Sequence, residues 1–169
     1  MTEERAQEIF LDEIDKAINI GIPIPENLDT ILTFNRRKTV LGVCCKDRNL
    51  CRIELSKYML DMPERKVRET IAHELCHTCS DDNHGKMWKY YANMFNKYYG
   101  YNISRLANKE DSEKFNEISG YKRSEAKYII QCPVCNRKWN YARRSWAVQC
   151  AENGKCKCPI CKVTVKRIK

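Results

Sequence analysis

The 169-residue chain holds three histidines, His73, His77 and His84, and all three fall within twelve residues. His73 and His77 stand at i and i+4, so on a helix both imidazoles leave one face and can grip one ion. Glu74, inside the run His73-Glu74-Leu75-Cys76-His77, lies one step around that helix. Its carboxylate is poorly placed to join the ligand pair, yet it can reach a water on the metal. Zinc lowers the pKa of such a water toward neutrality and polarises a carbonyl, and the glutamate takes the water's proton; this is the chemistry of amide hydrolysis. A catalytic zinc needs a third protein ligand and an open fourth position. His84 suits a borderline-soft ion better than the carboxylates of Asp81 or Asp82, which could instead lie behind the ligands or serve only the loop. The competing reading is a chance match on an ordinary amphipathic helix. Confinement of every histidine to one window argues against chance.

Such a site needs a helix with a definite start and stop, and a turn that brings His84 back. Pro63 reads as the first residue of that helix, with Asp61 as a cap candidate. Val67, Thr70, Ile71, Leu75 and Cys79 run along it to the break at Ser80-Asp81-Asp82-Asn83. Gly85 permits a sharp start to a further helix over about residues 86–98, stopped at Gly100. Upstream, Thr2 caps a helix whose apolar positions are Ala6, Ile9, Phe10, Ile14, Ala17 and Ile18, ending at Gly21. Segments 31–34, 40–45 and 51–55 read as strands of a small antiparallel meander, with a polar turn at 35–38. The stretch 102–120 is polar and reads as a loose helix or linker.

The chain has eleven cysteines, an odd number. It starts Met-Thr-Glu-Glu-Arg with no apolar run behind, so no secretory signal is expected and the cytoplasm is the expected compartment. No stretch approaches the roughly 18 apolar residues of a membrane span. These features point to metal rather than disulfides. Cys132-Pro133-Val134-Cys135 and Cys158-Pro159-Ile160-Cys161 are two knuckles that together offer four thiolates, a closed tetrahedral site for a structural zinc. So short a segment has little core, and the ion would supply much of its folding free energy. Cys150 and Cys156 leave the ligand set open to a rearrangement. A redox role for either knuckle lacks a supporting thioredoxin-like pattern. Cys44, Cys45, Cys51, Cys76 and Cys79 read as small buried hydrophobes.

Net charge is +9, and it is unevenly spread. Residues 121–169 hold 13 Lys/Arg against two acids, whereas residues 1–120 hold 18 against 20 Asp/Glu. A basic appendage on a near-neutral body suggests a polyanionic partner, with a merely solubilising surface as the rival. Between the knuckles, Lys138, Arg143 and Arg144 alternate with Trp139, Tyr141 and Trp146. Cations among aromatics suit single-stranded nucleic acid. The same aromatics could instead build the apolar face of the small unit.

The region 31–88 resembles the SprT-like metallopeptidase family, which includes the DNA-repair protease Spartan. The resemblance rests on Phe34-Asn35-x-Arg37, Gly42, the strand Cys51-Arg52-Ile53-Glu54-Leu55-Ser56, His73-Glu74-x-x-His77 and His84-Gly85-x-x-Trp88. Metzincins place a glycine where Ser80 stands, and their third ligand comes one residue earlier than His84. The resemblance implies an α+β, zincin-like domain over residues 1–120 and a β-rich four-cysteine ribbon over 121–169. It implies one catalytic zinc on His73, His77 and His84, with Glu74 as acid/base, and one structural zinc on Cys132, Cys135, Cys158 and Cys161. An edge strand near Ile53 would receive an extended protein substrate. Proteolysis of DNA-bound or DNA-crosslinked protein, with single-stranded DNA held by Lys138, Arg143, Arg144 and Trp146, is the expected activity, carried out by a monomer with no membrane partner. Two rivals remain open: a zinc-stabilised nucleic-acid-binding protein with a vestigial site, and a deformylase-like amide hydrolase, which would take a cysteine as third ligand.

Overall fold

A threonine followed by two glutamates is a helix start, because the hydroxyl accepts from a free N–H and the acids favour the positive end of the dipole. In the computed structural model, which describes residues 1–122 and 124–169, Thr2 accepts from the Arg5 N–H at 3.2 Å and opens α1 (Glu3–Asn19). Ala6, Ile9, Phe10, Ile14 and Ala17 form its buried stripe. Gly21, at φ +81°, ends it in a conformation that side chains resist. The described chain divides into two compact units, Met1–Tyr121 and Lys122–Lys169. Among the described residues no helix is long and apolar enough to cross a membrane.

The first unit has three strands, β1 (Thr33–Asn35), β2 (Gly42–Lys46) and β3 (Cys51–Ser56), in the order β1-β3-β2. The antiparallel meander expected from the sequence is therefore corrected. β2 and β3 do form an antiparallel pair, but β1 runs parallel to β3 on its other side. Burial explains the order: Cys51, Ile53, Leu55 and Ser56 are all buried, and the most buried strand belongs in the centre of a sheet. No hairpin closes at 35–38. Instead the chain wraps the end of β3, whose Ser56 donates its hydroxyl to the Arg37 carbonyl and its N–H to the Leu41 carbonyl. The edges are consequently β1 and β2, and Ile53 is on neither.

A short 3-10 turn (Lys57–Asp61) leads to α2 (Glu64–Thr78), and α3 (Lys86–Tyr99) and α4 (Lys109–Ser119) follow. Pro63 occupies the cap position itself rather than the first helical one, and Asp61 gives no cap because it lies within the 3-10 turn. The Pro63 carbonyl accepts from Lys66 and Val67 and so begins the helix. α2 is covered on nearly every side, with Val67, Ile71, Ala72, Leu75 and Cys76 fully buried. The polar 102–120 stretch contains a regular helix, α4, capped by Asn108 and stopped by Gly120.

Behind α2 sits Glu13, a fully buried carboxylate of α1. Lys16, Arg68 of α2 and the Tyr101 hydroxyl each donate to it at 2.8 Å. Burial works against the Lys16 and Arg68 charges, but bonds to Glu13, Asp12 and, for Arg68, Glu64 more than offset it and hold both pKa values above the ordinary range. Removing one member of such a set strands the others in low dielectric. Glu13→Ala is expected to cost about 3 kcal/mol in urea unfolding, against under ~1 kcal/mol for the half-exposed Asp12→Ala. Equal losses would contradict this account of how α2 is fixed.

The second unit pairs β4 (Tyr128–Gln131) with β5 (Lys138–Tyr141) and with β6 (Lys166–Arg167), and adds a helix, α5 (Trp146–Glu152), that the sequence reading did not anticipate. Its buried core is small: Ile130, Cys132, Val148, Ala151, Cys158 and Val165.

Candidate metal centres and active site

On α2, His73 and His77 project one turn apart. The chain leaves the helix at Cys79, and Ser80 bonds back to the Cys76 carbonyl at 2.8 Å. Asn83 takes a left-handed φ of 54° to reverse direction. Asp82 accepts from the Met87 and Trp88 N–H groups at 2.9 and 3.4 Å, capping α3 and pinning the far end of the loop. Gly85 is required there, since a Cβ would come within 2.3 Å of the Asp82 carboxylate. Lys46 at the end of β2 holds the loop from the other side through the Ser80 carbonyl (2.9 Å) and Asp81 (2.7 Å). Both aspartates thus serve the loop, and the histidines do the gathering.

The three Nε2 atoms form a triangle, 3.3 Å from His73 to His77, 3.2 Å from His77 to His84 and 3.2 Å from His73 to His84. Zinc–nitrogen bonds of about 2.0–2.1 Å at tetrahedral angles require nitrogens about 3.3 Å apart, so the donor set fits zinc. Burial, and then the neighbouring imidazoles, lower His73 to about 3; burial first, then His84 and Lys46, lower His77 to about 4. Burial and Arg105 also lower His84. Burial thus disfavours the protonated form of all three, and metal ligands must be unprotonated. The Ser104 backbone acts on His73 in the opposite direction. Trp88, buried beneath the site, packs its ring 4.6–5.6 Å from all three imidazole centroids.

Glu74 is buried between this triangle and β2. Gly42 makes room: a Cβ there would lie 2.9 Å from the Glu74 Cγ. Burial raises the Glu74 pKa to about 7, with the Cys44 backbone N–H pulling the other way. Cavities of about 510 and 490 Å³ flank His73 and Glu74, the first walled partly by residues 102–107 and the second by β2 and the His84 loop. The contribution of residues 102–107 had no signature in the sequence, because it depends on where that segment packs.

In the second unit the Sγ atoms of Cys132, Cys135, Cys158 and Cys161 lie within 4.8 Å of one another. The Cys161 backbone N–H pulls the Cys158 thiol down, while the bond to Cys135 pushes the Cys161 thiol up. Cys150 and Cys156 stand outside this group, and Cys156 packs against the core instead. Of the first unit's cysteines, Cys51 and Cys76 are buried, while Cys44, Cys45 and Cys79 are half-buried. Burial pushes the Cys44, Cys51, Cys76 and Cys79 thiols up, as expected of inert packing residues. No cysteine joins the histidine group among the described residues, which disfavours a deformylase-like ligand set.

The residues expected to meet nucleic acid separate. Trp139 and Tyr141 alternate inward on β5 and pack on the small core, whereas Trp146 is 77% exposed. Lys138 and Arg143 are exposed. Arg144 is engaged by Glu152 through two bonds of 3.0 and 2.7 Å, and Arg167 binds the same carboxylate.

Two donor sets predict two zinc ions per chain by elemental analysis. His84→Ala is expected to retain one, and Asp82→Ala to keep both while weakening the histidine site about tenfold in chelator competition. A His84→Ala protein that holds two ions tightly would contradict the assignment.

With the geometry established, comparison with known proteins gives the lineage. Residues 8–107 match the model of the family described as SprT-like. Human germ cell nuclear acidic protein is 35% identical over 87 residues, covering 44% of this chain and 12% of that relative. The chain therefore spans only a small part of the length of that curated relative. No solved structure matches the chain. A family match across more than half the chain, together with the histidine group, shows that the protein belongs to the SprT-like family.

Proposed function

We propose that the protein is a zinc-dependent metallopeptidase that cuts proteins bound or crosslinked to DNA, with the basic second unit holding single-stranded DNA. The observation that carries the peptidase reading is the buried Glu74 carboxylate set beside three converging imidazoles, where burial raises its pKa. Zinc held by His73, His77 and His84 would supply an electrophile for the scissile carbonyl and acidify a water. Glu74 would take that water's proton and return it to the departing amine, a role suited to a group that titrates near the working pH.

Substrate would lie along β2. Ser56 bonds to Leu41, so by antiparallel alternation Leu41, Val43 and Cys45 turn their backbone groups toward β3. Gly42 and Lys46 then offer theirs to the open edge, where the Cys44 N–H faces Glu74. An extended peptide adding there as a further strand would pass its carbonyls over the histidines, with the two flanking cavities taking side chains.

The test is cleavage of a denatured protein substrate, with and without single-stranded DNA. Glu74→Gln is expected to keep both zinc ions and lose about a thousandfold in rate. Retention of wild-type rate would remove Glu74 from the chemistry, and a wild type that cleaves nothing would favour the binding-protein reading.

For the DNA arm, Arg143→Gln is expected to reduce the salt dependence of single-strand binding by about 0.7 in the log–log slope. Trp146→Ala is expected to lower affinity about tenfold. Arg144→Gln should matter less than Arg143→Gln, since Glu152 already holds that guanidinium. Binding that ignores all three replacements would refute the role given to the second unit.

A further inference from the structure

The first 120 residues contain 20 Asp/Glu, yet none lies between Asp82 and Glu110. That interval carries Lys86, Lys89, Lys97, Arg105 and Lys109 and seven aromatic residues. Among the described residues only Lys109 of these cations is in an ion pair, with Glu113 at 3.7 Å. Most of the interval is α3. Its inner face, Trp88, Tyr91, Ala92 and Phe95, is buried against the rest of the unit. Its outer face is set by the helical repeat: Lys86, Lys89, Tyr90, Asn93 and Lys97 fall at spacings of three and four and are all exposed. Tyr90 is 57% and Tyr98 60% exposed, and Lys97 sits 5.5 Å from the centre of the Tyr98 ring.

Tyrosines this exposed add nothing to the core, and three unpaired lysines on one helix face repel one another unless an anion covers them. In a unit whose acids otherwise outnumber its bases, the acid-free interval makes this face locally cationic, complementary to a polyanion. Flat rings between the cations select a partner with stackable faces. We infer that the outer face of α3 is a second single-stranded nucleic-acid surface, on the peptidase unit itself. It goes beyond the tail contact proposed above and does not require it. α3 begins two residues after His84, so a strand bound along its outer face would lie across the helix from the histidines that Trp88 covers on the inner face.

The experiment uses the full zinc-loaded chain carrying Glu74→Gln, so that proteolysis cannot enter, and a fluorescein-labelled oligothymidine read by anisotropy across a potassium chloride series. Lys86→Gln, Lys89→Gln and Lys97→Gln together are expected to weaken binding about tenfold and flatten the log–log salt slope by about 2. A matched set of unpaired exposed cations elsewhere on the unit, Arg36→Gln, Arg48→Gln and Lys114→Gln, is expected to change affinity by less than about twofold. Tyr90→Ala with Tyr98→Ala is expected to lower single-strand affinity about tenfold while leaving duplex binding unchanged. The α3 set is also measured in a chain carrying Arg143→Gln and Trp146→Ala, where it should produce the same fold-loss. Wild-type affinity and slope in the α3 lysine set would overturn the inference, as would an equal loss in the matched set. Tyrosine variants that lose duplex and single-strand binding alike would overturn the single-strand assignment. Failure of the ribbon residues to matter, with the α3 loss intact, would count against the tail alone.

Discussion

Three imidazole nitrogens held 3.2–3.3 Å apart converge on one point, an arrangement suited to a shared cation. Much of the first unit can be understood as the means of holding it. α2 must be rigid and dry, so it is covered on nearly every side and anchored from behind by the Glu13 cluster. His84 must return across it, so the loop is fastened at one end by Asp82 on the start of α3 and at the other by Lys46 from β2. Gly85 and Gly42 are glycines because side chains there would strike Asp82 and Glu74.

The same burial sets the electrostatics. Taking charge out of water keeps His73 and His77 neutral and lifts Glu74 toward neutrality. A ligand set and a proton acceptor thus arise from one desolvated helix face. The second unit solves a different problem. Its six-residue core is small for a fold, and four thiolates brought together offer a metal the task that apolar burial cannot perform there.

The site was legible from sequence to the extent that it is local. Spacing on one helix fixed His73, Glu74 and His77, and the Asp-Asp-Asn turn with Gly85 signalled the return of His84. Paired C-x-x-C knuckles likewise announced the four-cysteine group. What escaped was non-local. Alternation at 51–55 marks a buried face, but it does not say that β1 and β2 flank that strand from opposite sides and leave Ile53 in the centre of the sheet. The wall formed by residues 102–107 depends on where that segment packs, which leaves no residue pattern. Pairing of Arg144 with Glu152 depends on how α5 folds back. The inward turn of Trp139 and Tyr141 was readable, since Lys-Trp-Asn-Tyr alternates as a half-buried strand should.

The chemistry depends on zinc binding at the histidine triangle with Glu74 beside it as a free carboxylate. Anomalous diffraction at the zinc edge from crystals of the full chain tests it most directly. The account predicts a peak about 2.0–2.1 Å from the Nε2 atoms of His73, His77 and His84, with Glu74 outside bonding distance. A peak bound by Asp81, Asp82 or a cysteine in place of His84, or no peak at the triangle in zinc-loaded crystals, would contradict it.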